Sequence, residues 1–250
     1  MLLNVLEEFL ASGAAIARET YEFRDDNLDE YTDAVNPYYM AWEGGSDPRH
    51  TDIRMIGQMH DLDFNEMVSE FVNKETGLTI QNLREMYFGK DGNRIYEYNE
   101  PSLHQLNEKN NIRNVSFYNS SSPHEYRVFE IWTKEIKARY RCWDTNSGER
   151  YKIELNQIKE VDAENQRRLK MGAQFGMPVE EIPLIETEKF IDNYWYYSFL
   201  TPSGHVLLEG ETPYEHKSHP YTIKLYPFIN GEVHSFTSTF IDQQRYINRL

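Results

Sequence analysis

The stretch EYRVFEIWTKEIKARYRCWDTNSGERYKIEL (125–155) decides the fold class. Aromatic and β-branched residues alternate there with charged ones at period two, and Asn146-Ser147-Gly148 offers the residues of a tight turn, so the stretch predicts two or three antiparallel strands. Lys137, Arg139 and Arg141 then point to one face, while Ala138, Tyr140 and Cys142 point to the other. Arg150 and Lys152 continue the charge across the turn. Such a strip is either a surface that tracks phosphates or the solvated outer face of a half-buried sheet. The acidity of the whole chain favours the second. Cys142, the single cysteine, lies on the apolar face and reads as a small buried hydrophobe rather than a nucleophile. An internal disulfide is impossible, as expected of a chain from a reducing compartment.

Working outward, NYWYYSFLTPSGHVLLEG (193–210) predicts a second hairpin that turns through Pro202-Ser203-Gly204. Between the hairpins, residues 157–175 are polar and helical, with Gly176 as the residue that ends the helix. Toward the N-terminus, Leu2, Leu3, Leu6, Phe9 and Leu10 form one helical stripe closed by Ser12-Gly13, and residues 14–23 switch to alternation, which predicts a strand. Asp25 to Asp33 read as an acidic turn or hairpin tip, and NPYYMAWEGGSDP (36–48) as an irregular loop. Asp61 or Asp63 can cap a helix carrying Phe64, Met67, Val68 and Phe71 on one face, and Thr79 starts another with Ile80, Leu83 and Tyr87 aligned. Asp91-Gly92 marks a turn, and the Asn-rich residues 107–122 read as a loop. Phe236, Phe240, Ile241, Tyr246 and Ile247 suggest a terminal helix. The class is α+β, built from short helices and antiparallel hairpins with a small β-sheet.

The charge balance narrows the function. Asp and Glu number 41 against 26 Lys and Arg, a formal net charge of -15, which is not the balance of a protein that grips nucleic acid. The excess is uneven: residues 1–125 hold 23 acids against 10 bases, and residues 126–250 hold 18 against 16. Aromatic residues reach 14% of the chain, so the core must be built largely from rings. The opening MLLNVLEEFLASGAAIARE has no basic leader and carries Glu7 and Glu8 within its apolar run, unlike a secretory signal. No run of about 18 uncharged apolar residues exists to cross a membrane as a helix.

Motifs for chemistry are lacking. No phosphate loop, dinucleotide fingerprint or G-x-S-x-G elbow occurs. Glu215, His216 and His219 could form a metal corner, but prolines bracket the segment and no further ligands cluster near it, so a loop is the better reading. Asp25, Asn27 and Asp29 imitate the start of a calcium loop, yet its sixth position holds Glu30 where glycine is needed and its twelfth holds Asn36. No catalytic, cofactor or metal site is expected.

Several phrases, read in order, resemble the portal protein of short-tailed and related bacteriophages. LEEFLASGAAIARETYEF resembles that family's helix-then-strand opening after the first wing helices. VNPYYMAWEGGSDPRHTD resembles its loop with Asn36-Pro37 and a later Asp47-Pro48, and DLDFNEMVSEF its next helix. RVFEIWTKE, with Trp132, is similar to its valine/glutamate/tryptophan strand. Residues 206–248 are the most specific, with a strand, the loop Pro213, Tyr214, His216, Pro220, a turn with Gly231, and a helix opening Asp242, Gln244, Arg245, Asn248. The approach Glu232-Val233-His234-Ser235-Phe236 departs from the family's small, glycine-rich one.

The resemblance implies a structural subunit of a ring, usually of twelve copies, at one capsid vertex of the virion, assembled in the host cytoplasm. Duplex DNA would pass through during packaging and ejection without tight binding, and the partners would be other portal subunits, a terminase large subunit, and capsid and head-completion proteins. Residues 1–100 would form an α-rich acidic part of the wing, residues 101–235 a β-rich part, and residues 236–250 the start of a helix leading toward the stem. The 250 residues would then be the middle of a longer portal, lacking most of the stem, clip and crown. Two other classes compete with it. A stand-alone module, for glycans for instance, would use Trp42, Trp132, Trp143, Trp195 and nearby tyrosines as a stacking platform. A hydrolase would need a pocket of converging polar groups.

Overall fold

The computed structural model describes residues 2–24, 27–43, 47, 52–73, 76–89, 92–95, 118–120, 122–225, 228–229, 232–233 and 235–249. The fold is α+β, as the alternation and the helical stripes imply. Two compact units share the chain: residues 1–133 with 195–250, and residues 134–194. These bounds differ from the expected ones at 100 and 235. Most of the Asn-rich segment 107–122 lies outside the described residues. Among those described, no helix is long and apolar enough to cross a membrane.

In the larger unit, α1 (Leu2–Ser12) leads into β1 (Ala14–Arg24). β1 pairs antiparallel with β2 (Asn27–Ala34) on one side and with β9 (Tyr221–Leu225) on the other. The acidic segment expected to be a turn is therefore mostly strand, because β1 supplies it with a partner. The segment expected to be an irregular loop also contains structure. Asn36 accepts a hydrogen bond from the Tyr38 N–H and opens a 3-10 turn over Pro37–Tyr39, and β3 (Met40–Trp42) follows. β4 (Met55–Asp63), which the sequence pattern did not disclose, pairs with β3 and along its whole length with β5 (Glu125–Asp144). The first hundred residues, expected to be α-rich, thus hold four strands beside their helices. The second sheet runs β3-β4-β5, then β7 (Ile185–Leu200) and β8 (Val206–Glu211), with β6 (Arg150–Glu154) paired to β5.

The capping expectations match the structure. β4 ends in Asp63, whose carboxylate accepts from the N–H groups of Asn65 and Glu66 while Glu66 accepts from the Asp63 N–H, and α2 (Phe64–Phe71) starts there. Thr79 caps α3 (Ile80–Tyr87). The two helices place Met67, Phe71, Leu83 and Tyr87 against Val128, Phe199 and Leu207 in one buried cluster. A second cluster joins Ile16, Val35 and Tyr221 to Met40, Ile53, Ile56, Trp132 and Trp195, so the small sheet packs on the large one. Tyr197 touches both clusters. α5 (Ser238–Ile247) lies near the other end of the chain and leaves Phe240, Ile241, Tyr246 and Ile247 exposed. Leu3 and Leu6 of the α1 stripe are exposed as well.

The smaller unit has α4 (Ile158–Gln174) against the strand face that carries Cys142. Cys142, Val161 and Ile185 form its buried cluster, as expected for this cysteine, and burial pushes the thiol up. Arg168 of α4 makes a two-pronged ion pair with Asp144 at 2.7 and 2.8 Å, and the Asn165 side chain exchanges two hydrogen bonds with the Ile185 backbone. Turns fall at glycines with positive φ, Gly148 at 74° and Gly204 at 84°, where both hairpins were expected to close.

Replacing Asp63 by alanine should remove the α2 cap and lower stability by about 1 kcal/mol in urea unfolding. Asp63→Asn, which still accepts from the helix N–H groups, should stay within a few tenths of a kcal/mol of the parent.

Candidate functional site

Charged groups on the inner faces of the larger unit form a buried polar constellation around Glu130. Residues two apart on a strand share a face, so Val128, Glu130 and Trp132 of β5 all point inward. Glu130 is 1% exposed. Its Oε1 accepts from Trp132 Nε1 at 2.7 Å, and its Oε2 is 2.7 Å from His60 Nε2 and 3.1 Å from an Arg18 guanidinium nitrogen. β1 supplies Arg18, β4 supplies His60, and β5 supplies both Trp132 and the carboxylate itself. Burial alone would raise the Glu130 pKa, but the His60 hydrogen bond, the Arg18 charge and the Trp132 hydrogen bond outweigh it and hold the carboxyl below its usual range. Arg18 keeps its charge, since the attraction of Glu130 overcomes the opposing effect of burial. Tyr221, the cross-strand partner of Arg18, has its phenol pushed up by burial and then by the Glu130 charge, so it stays protonated.

A surface groove of about 320 Å3 opens beside this constellation, lined by Val35, Asn36, Tyr39, Gln58, His60 and Asp61 among others. It sits where the chain leaves β2 and enters β3 through the 3-10 turn, alongside β4. Asp61 is held by Arg127, at 2.5 Å to Nε and 3.0 Å to a terminal nitrogen. Both Glu130 oxygens are engaged by donors, which suits the carboxylate to fixing a charge rather than to attacking a substrate. None of Arg18, His60, Glu130 or Tyr221 was singled out from sequence. The available signal was one glutamate between Val128 and Trp132 on an apolar strand face.

The residues chosen for their portal resemblance fall in several places. Trp132 is core, 3% exposed. The loop after β8 brings Tyr214 to 5.9 Å from Trp132, ring centre to ring centre, and stacks His216 on Tyr214 at 5.2 Å. Pro220 is buried, Pro213 exposed. His216 Nδ1 accepts from the Ser218 N–H and His219 Nδ1 from the Tyr221 N–H, so both rings serve the loop's own backbone. Among the described residues no group of three or more His, Cys, Asp or Glu could hold a metal ion. Asn27, Asp29 and Glu30 lie in β2 rather than in a calcium-type loop. The Asp47 N–H donates to Asp52. Asp242, Gln244 and Arg245 lie in α5, with Asn248 just after it, and Gln244 donates to Asn248. Pro48 and Gly231 lie outside the described residues. Of the tryptophans proposed as a platform, Trp132 and Trp195 are buried, Trp42 packs on the same core, and Trp143 stacks under Arg150.

In the smaller unit most of the basic strip is paired with acids on its own face. Lys137 and Arg139 each pair with Glu154 at 2.8 Å, Arg139 and Lys152 reach Asp192 at 3.2 and 2.8 Å, and Arg141 approaches Glu188 at 3.5 Å. Phe190 lies under Arg141 and Lys152, and Tyr194 under Lys137 and Arg139. The strip is a solvent-facing surface on which Lys137, Arg139, Arg141 and Lys152 are each paired with an acid.

His219 packs edge-on against Trp195 at 4.7 Å, and burial followed by the nearby His216 charge lowers its pKa to about 4. A histidine whose folded pKa is depressed contributes stability that is complete above its unfolded value near 6.5 and is lost as pH falls toward 4. His219→Phe should therefore flatten the dependence of urea stability on pH between about 6.5 and 4 by about 2–3 kcal/mol. No protein-family model matches the chain, and no curated protein matches it.

Proposed function

We propose that this chain is a structural subunit of a bacteriophage portal ring, contributing wing elements and the start of a stem-directed helix. The observation that carries the reading is a convergence. Trp132 and the Pro213-to-Pro220 loop resemble the portal pattern in separate parts of the sequence, and Tyr214 of that loop meets Trp132 in one core. Residues chosen for likeness alone therefore share a physical role, namely fastening the loop after β8 onto the large sheet.

Two further features support a conduit that does not hold DNA. The net charge of -15 repels a duplex. The basic strip, whose lysines and arginines would otherwise displace counterions from phosphates, is engaged by Glu154, Glu188 and Asp192. The apolar residues exposed on α5 suit a helix that packs against neighbouring subunits. On this reading the partners are further copies of the chain, a terminase motor, capsid and head-completion proteins, and passing duplex DNA, in the virion. The buried tryptophans offer no comparable support for a glycan platform.

Expression of the complete reading frame that contains these residues, followed by mass photometry and negative-stain microscopy, should give closed rings with a central channel. Monomers persisting at micromolar concentration would overturn the proposal.

A further inference from the structure

The Glu130 constellation leaves four buried polar atoms outside good hydrogen-bond geometry: Arg18 Nε, Thr20 Oγ1, Gln58 Oε1 and the Tyr221 hydroxyl, the last of which lies near Glu130. They are not scattered. Arg18 and Thr20 are two apart on the inner face of β1, Tyr221 is opposite Arg18 on β9, and Gln58 is opposite Glu130 across β4 and β5. Arg18 itself reaches Glu130 at 3.1 Å, so the four residues are register neighbours of one ion pair between the two sheets. Thr20 is 7% and Tyr221 4% exposed. Leaving a buried hydroxyl, amide oxygen or guanidinium N–H unpaired forfeits its hydration, and four such groups in one seam would be a large penalty.

We infer that the space between the sheets at Arg18, Thr20, Gln58 and Tyr221 is a hydration site, holding bound water that bridges these atoms. The chemistry of the lining selects the ligand. Arg18 Nε offers only a proton and Gln58 Oε1 only lone pairs, while the Thr20 and Tyr221 hydroxyls can do either. A ligand must therefore donate and accept at once. It must also be uncharged, because Arg18 and Glu130 already neutralise one another and an added ion would be a buried, uncompensated charge. Water meets both conditions, and a buried water typically makes about three hydrogen bonds, so about one or two molecules satisfy the set. Gln58 and His60 also line the surface groove, which gives the site a route to bulk solvent. The water would complete the seam, linking Arg18 of the small sheet to Gln58 of the large one beside the direct Arg18–Glu130 contact.

The test is a double-mutant cycle on the full chain with Thr20→Val and Gln58→Met, read by urea unfolding through tryptophan fluorescence. Thr20→Val is the discriminating change, because it replaces a hydroxyl by a methyl of nearly the same shape. If Thr20 Oγ1 bonds a bound water, the variant should lower the folding equilibrium constant about fivefold. If the two side chains share that water, the double variant should lose clearly less than the product of the two single losses. The inference is overturned if Thr20→Val leaves the folding constant unchanged or raises it, as removal of an idle buried hydroxyl would. It is overturned equally if the two losses simply multiply.

Discussion

The larger unit depends on one buried carboxylate. Glu130 stands on the inner face of β5 at the seam between two apolar clusters, one roofed by the small sheet and the other by α2 and α3. A charge in that position is expensive unless every lone pair is used, and the fold uses them by drawing Arg18 from β1, His60 from β4 and Trp132 from β5. The requirement orients both sheets. β1 must face its even-numbered residues inward so that Arg18 reaches the carboxylate, which places Ile16 against Trp132 and Thr20 beside the seam. A one-residue slip of β1 would turn Arg18 outward and leave Glu130 without its cation.

The smaller unit applies the opposite rule to its charges. Lys137, Arg139, Arg141 and Lys152 lie on an accessible face, where water could solvate them, yet each pairs with an acid and lies over Phe190 or Tyr194. Each exposed pair contributes little by itself. Together they lower the net positive charge of the strip and cover the aromatic rings beneath it.

Legibility in the sequence followed the local physics. Turns that need glycine at positive φ, at Gly148 and Gly204, and caps that need a side-chain acceptor, at Asp63 and Thr79, could be read because their causes lie within a few residues. β2 could not. It is an edge strand rich in Asp and Glu, a composition that protects an edge but looks like a turn. β4 was hidden because its inner face carries Gln58 and His60, which break the expected alternation, and because Gly57 sits within it. The polar constellation was hidden for a related reason. Arg18, His60, Glu130 and Tyr221 come from four distant parts of the chain and meet only through long-range pairing, so no spacing announces them. Among the described residues that resemble the portal pattern, Trp132 is the one whose hydrogen bond to Glu130 joins it to the constellation.

The most direct test of the Glu130 account is to compare the urea stabilities of Arg18→Met, Glu130→Met and the double variant. A buried ion pair broken on one side leaves an uncompensated charge, so each single variant should lose about 3–5 kcal/mol, and the double variant, which removes both charges, should lose less than either. A double variant that loses the sum of the two single losses would contradict the claim that one paired charge holds this seam.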